Sequence, residues 1–152
     1  MKLTPFSIAL LLAMLHLPAS LRAQEPTLEG VWLHDNKRIQ VRIAPCDGRR
    51  EEPLCGKIVW LKNPDDKEGE ARLDTENPDR ALRDQPVIGT TVIHGLVRSG
   101  PRLWTNGTIY NPDDGETYSA RIKMVDPDTL HVRVFVMLPL LGETKVWSRV
   151  QN

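Results

Sequence analysis

The feature that most constrains this chain is strict alternation. In YSARIKM, residues 118–124, Tyr118, Ala120, Ile122 and Met124 fall on one side, with Ser119, Arg121 and Lys123 on the other. TLHVRVFV, residues 129–136, sets Leu130, Val132, Val134 and Val136 against His131, Arg133 and Phe135. RIQVRIAPC does the same with Ile39, Val41 and Ile43 against Gln40 and Arg42. A period of two marks a strand with one face buried and the other wet. No segment carries the 3.6-residue stripe of a long amphipathic helix.

Further β-like runs lie near residues 31–35, 54–61, 87–96, 103–110 and 144–150. Together they predict about eight closely spaced antiparallel strands, as in a barrel or a sandwich. Residues 62–86 break the rhythm. They are rich in Asp, Glu, Pro and Arg, with room for one short helical turn at 78–83. So long a connection in a small domain is either a flap over an opening or a plain solvated loop.

Four related stretches punctuate the strands: NPDDKE at 63–68, NPDR at 77–80, NPDDGE at 111–116 and DPDT at 126–129. Asn and Asp bond the backbone of turns, and proline presets φ for the second turn position. NPDDGE lacks both the Asp-x-Asp-x-Asp-Gly spacing and the later Glu of a calcium loop. It is expected to be a hairpin turn in which Gly115 takes a positive φ.

The first 23 residues carry Lys2, an apolar run from Phe6 to Leu17 and small residues ending at Ala23. This is the layout of a cleavable secretory signal. The run, about 12 residues, is short of the ~20 that span a bilayer, so no transmembrane anchor is expected. Residues 24–152 then form a single domain, slightly acidic, which argues against a nucleic-acid partner. In an oxidising compartment Cys46 and Cys55 are expected to pair and staple a hairpin.

No residue is assigned a catalytic role. His34, His94 and His131 show no metal-ligand spacing, and no nucleophile or phosphate motif is present. Asp74, Asp79, Asp113 and Glu116 read as loop acids. No metal or other cofactor is expected. The more informative residues are apolar. Trp60, Trp104, Tyr118, Ile122 and Val134 are candidates for the neighbourhood of a cavity. Leu138 lies in FVMLPLLG, residues 135–142, whose apolar residues either line a portal, touch a membrane, or fold inward to cap the core.

GVW at 30–32 and WSR at 147–149 resemble the chain ends of lipocalins and their calycin relatives. In those barrels an arginine on the last strand packs across a tryptophan on the first, a contact of about 0.5–2 kcal/mol. Here the pair would be Trp32 and Arg149. Over nearly the whole chain, GVW, LCGKIVWLK, VIGTTVIHGL, the Trp104-to-Tyr118 pattern and VWSRV are similar to the bacterial family known as domain of unknown function 2147. That resemblance implies a periplasmic or secreted lipocalin-like β-barrel with no established enzymatic activity. Two functions are compatible with it. One is a binding module for a small apolar or amphipathic molecule, such as a lipid. The other is a cell-envelope interaction protein that has a filled barrel and docks through a strand edge or the 62–86 loop.

Overall fold

The computed structural model describes residues 27–48 and 53–151. The signal-like segment 1–23 lies outside them. Eight antiparallel strands follow chain order: β1 Gly30–Leu33, β2 Ile39–Pro45, β3 Leu54–Leu61, β4 Thr91–Gly100, β5 Leu103–Asn111, β6 Glu116–Asp126, β7 Thr129–Phe135 and β8 Glu143–Arg149. Each pairs with its neighbour, and β8 returns to β1, so the sheet is a closed up-and-down barrel. The β1–β8 seam is short, pairing Trp32 with Arg149 and Leu33 with Ser148.

Alternation explains the packing. Ala120, Ile122 and Met124 on β6 face Val134, Val132 and Leu130 on β7 as inward pairs, while Arg121 opposes Arg133 and Lys123 opposes His131 outside. The barrel has two unlike ends. At one lie residues 46–48, the connections 101–102 and 127–128, and residues 27–29 and 150–151 flanking β1 and β8, and Leu28, Trp32, Leu96, Trp104, Met124 and Leu130 fill the interior. At the other, the connections 34–38, 62–90, 112–115 and 136–142 surround a mouth.

The filled end is locked by Arg149. Its guanidinium stands 4.1 Å from the centre of the Trp32 ring, and Trp32 and Arg149 are direct partners across the β1–β8 seam. It also donates from Nε to the Pro127 carbonyl (2.7 Å), from Nη1 to Glu29 (2.9 Å) and from Nη2 to Thr27 (3.0 Å). Gly30 makes room for it. A Cβ there would meet Arg149 Nη1, and φ of 136° is already a glycine conformation.

Cys46 and Cys55 form a disulfide across the β2–β3 hairpin, with Cα atoms 4.7 Å apart. Replacing both by serine should lower the unfolding free energy by about 2.5 kcal/mol, the chain entropy of so short a loop. Denaturant titration reads this directly, and an unchanged midpoint would show that the hairpin needs no staple.

One boundary differs from expectation, and two open points are resolved. The strand anticipated near residue 87 starts at Thr91, because residues 87–90 form a turn in which the Thr90 N–H bonds the Val87 carbonyl. The helical turn in the long connection is a 3-10 turn at Arg80–Leu82. Residues 137–141 do not fold inward to cap the core: Met137 is 88 % exposed, Leu140 86 % and Leu141 77 %. Arg133 holds this loop outward by donating to the carbonyls of Pro139 and Leu140.

Candidate functional site

The mouth opens into a cavity of about 440 Å³. Its walls are apolar, formed by Ile39, Val41, Ile58, Val92, Val132 and Trp147, inward residues from β2, β3, β4, β7 and β8. Its rim is polar and includes His34, Asp114, Tyr118, Glu143 and Lys145. The arrangement follows from the strand pattern. On β2 and β7 inward positions stay aliphatic along the strand, and at the strand ends turn chemistry brings in Asn, Asp and charged residues.

The electrostatics of the rim are mostly settled by local partners. Lys145 Nζ lies 2.5 Å from Glu143, which holds the ammonium pKa above its usual value. His34 has its pKa lowered, first by burial, although Asp35 lies 2.6 Å from Nδ1 and opposes the shift. Burial would raise the Asp114 carboxyl. Three donors outweigh it and lower the pKa: the Glu116 N–H, the Tyr118 hydroxyl and the Asn111 amide. One donor in the cavity wall lacks a partner. The Trp147 indole N–H is the only buried side-chain polar atom among the described residues without a hydrogen bond.

The long connection crosses beside the mouth as an ordered strap. Isolated bridges pair Asp65 with Ala71 and Leu73 with Pro86. Its anchor is Asp74, 1 % exposed, whose Oδ1 accepts from the Tyr110 hydroxyl (2.6 Å) and whose Oδ2 accepts from the Asn77 amide (2.7 Å). Tyr110 lines the cavity on one side and the cleft beneath the strap on the other. Burial, then Asp74, pushes its hydroxyl pKa well up, so it remains a donor. Arg72 of the strap also pairs with Asp113 on the β5–β6 turn.

NPDDGE is that β5–β6 turn. The Gly115 N–H bonds the Asn111 carbonyl at 2.9 Å, and Gly115 has φ of 72°. A Cβ on Gly115 would also run into the carbonyl of Glu76, so the glycine serves the strap contact as well as the turn. In the other three Asx-Pro-Asp stretches a side chain also accepts an N–H two residues on, from the first position in Asn77 and Asp126 and from the fourth in Asp66.

The residues anticipated near a cavity are distributed unevenly. Tyr118 and Val134 line it. Ile122 and Trp104 are partners across β5 and β6 and pack in the filled half. Leu138 is exposed on the mouth loop. Trp60 faces outward, 39 % exposed, because β3 takes in one extra residue: Val41 pairs with Ile58 but Gln40 with Trp60, which turns the tryptophan away from the core. Among the candidate titratable groups, His94 and His131 are exposed on strands, and Asp113 sits on the rim. Sequence reasoning missed Lys145, Glu143 and Trp147 as cavity residues. Glu143 and Lys145 put charges at alternating positions of β8, and the inward Lys145 breaks the apolar-inside rule that found the other walls.

The family described as an uncharacterized protein conserved in bacteria, DUF2147, matches residues 30–149, and the chain belongs to it. No curated protein matches the sequence. Among solved structures, protein HP1028 from Helicobacter pylori, described as belonging to the lipocalin family, is similar at a TM-score of 0.70 and 21 % identity. The match covers 83 % of this chain and 84 % of that one. At that identity the likeness establishes a shared lipocalin-like fold.

Proposed function

We propose that this member of the DUF2147 family binds one small apolar or amphipathic molecule in the mouth of its barrel. The observation that carries the reading is the cavity itself. Its 440 Å³ falls within the range of small-molecule sites, about 300–1,000 Å³, and aliphatic walls with a few convergent polar groups are what such sites require. The fold shared with a lipocalin supports the same class of function. The Cys46–Cys55 disulfide supports work outside the cytoplasm, in the periplasm or beyond, where such bonds persist.

Native mass spectrometry with tryptophan fluorescence, titrated against fatty acids and phospholipids, should show saturable binding at one molecule per chain. Trp147 in the wall is the natural reporter. Val134→Trp puts an indole into the cavity from a half-buried position and should weaken binding at least about tenfold while leaving the filled half intact. Absence of any retained or titratable ligand, or undiminished binding to the filled variant, would overturn the proposal.

A further inference from the structure

The mouth loop and the wall beside it share features that the cavity does not explain. Val136, Met137, Leu138, Leu140 and Leu141 form a contiguous apolar tip projecting from the barrel rim. The tip is fixed. Arg133 clasps two of its carbonyls, the Leu141 N–H bonds Leu138, and Pro139–Leu141 is a 3-10 turn. Met137 holds φ of 63°, which costs a non-glycine residue energy that the surrounding bonds must offset. Folding alone would favour glycine there and polar residues around it.

Below this tip a groove runs down the outer face of β6 and β7. Arg102, Arg121, Lys123, His131 and Arg133 line it, and no acidic side chain does. Arg121 stands directly opposite Arg133, and Lys123 directly opposite His131. The like charges of Arg121 and Arg133 across the ladder are destabilising, and Arg121 and Lys123 have no ion pair among the described residues. An anion from outside would remove that repulsion.

From these two features we infer that the protein docks on an anionic lipid bilayer, with the 136–141 tip inserted among the acyl chains and the basic groove against the headgroups. The shape favours lipid over a protein partner. The apolar residues are non-aromatic, exposed by 57 % or more and set on a turn, and the adjoining cations answer a diffuse negative surface. The inference stands on the exterior and does not depend on what the cavity holds.

Vesicle co-sedimentation of the full chain tests it. Every variant keeps the same N-terminal apolar run, so differences among them report the tip and groove. Wild type should sediment with phosphatidylglycerol–phosphatidylcholine vesicles more strongly than with phosphatidylcholine alone, and salt should weaken this. The triple variant Met137→Gly, Leu140→Ser, Leu141→Ser should bind about fiftyfold more weakly. The double variant Arg121→Glu, Lys123→Glu should bind at least about tenfold more weakly and lose the salt dependence. Neither should unfold, since the first relieves a strained φ and the second relieves the Arg121–Arg133 like-charge pair; near-ultraviolet circular dichroism checks this. The inference is overturned if wild type ignores anionic vesicles or if either variant sediments as wild type does. It is also overturned if sedimentation without lipid shows a dimer that the triple variant dissolves, since the tip would then serve self-association.

Discussion

Trp32→Ala is expected to lower the stability of the barrel by about 3–5 kcal/mol, the range for removing a fully buried large aromatic. The ring is wholly inaccessible, its N–H bonds the Leu28 carbonyl at 2.9 Å, and Arg149 covers its face. Removing it leaves a void where the first and last strands meet, and it deprives Arg149 of its stacking surface. Arg149→Lys keeps the charge and loses the planar fork that reaches three carbonyls, for an expected cost of about 2 kcal/mol. Trp60→Ala provides the contrast. That tryptophan is the same residue type on the outer wall, and its loss should cost less than about 1 kcal/mol. Chemical denaturation of the three variants decides the matter. Equal losses from Trp32 and Trp60 would contradict the role assigned to the seam.

The second large effect is expected at the strap. Asp74→Ala removes the acceptor shared by the Tyr110 hydroxyl and the Asn77 amide, leaving two buried donors unmatched, at about 3 kcal/mol in all. The loss should be local as well as global. Amide exchange should rise at Asn77 and Val87, whose N–H groups bond within the strap, and proteases should gain access to residues 62–86. Tyr110→Phe removes only one donor and should cost less.

It also isolates a pH effect. Tyr110 has a folded pKa raised above the ordinary 10.0, so the unfolded chain releases its proton first as pH rises. The associated stability is complete below pH 10.0 and is lost progressively above it, and the Phe variant should lack that alkaline decline. A wild-type curve that runs parallel to the Phe variant above pH 10.0 would contradict the assignment.

Much of this architecture is legible in the sequence because a period of two has only one physical reading. Ala120, Ile122 and Met124 must lie together, and so must Leu130, Val132 and Val134; a one-residue slip would expose all of them. The closing pair Trp32 and Arg149 was legible as well, from two short motifs at opposite ends of the chain. What escaped depends on contacts distant in sequence. The exposure of Trp60 comes from an extra residue, Val59, in the β2–β3 ladder, and nothing in LCGKIVWL announces it. Asp74 reads as one acid among many in a polar segment, yet a tyrosine 36 positions away determines that it is buried. Residues 137–141 are apolar enough for a core cap, and only the clasp from Arg133 directs them outward.

The packing of Trp32, Trp104, Met124 and Leu130 across one half of the barrel has a kinetic consequence for the other half. Among the described residues these side chains close the far end of the cavity, so a ligand held there as proposed would enter and leave through the mouth. A second molecule could not push the first through, and exchange would require the occupant to leave before its successor enters. Competing ligands should therefore displace one another only as fast as the resident one dissociates, whatever their concentration.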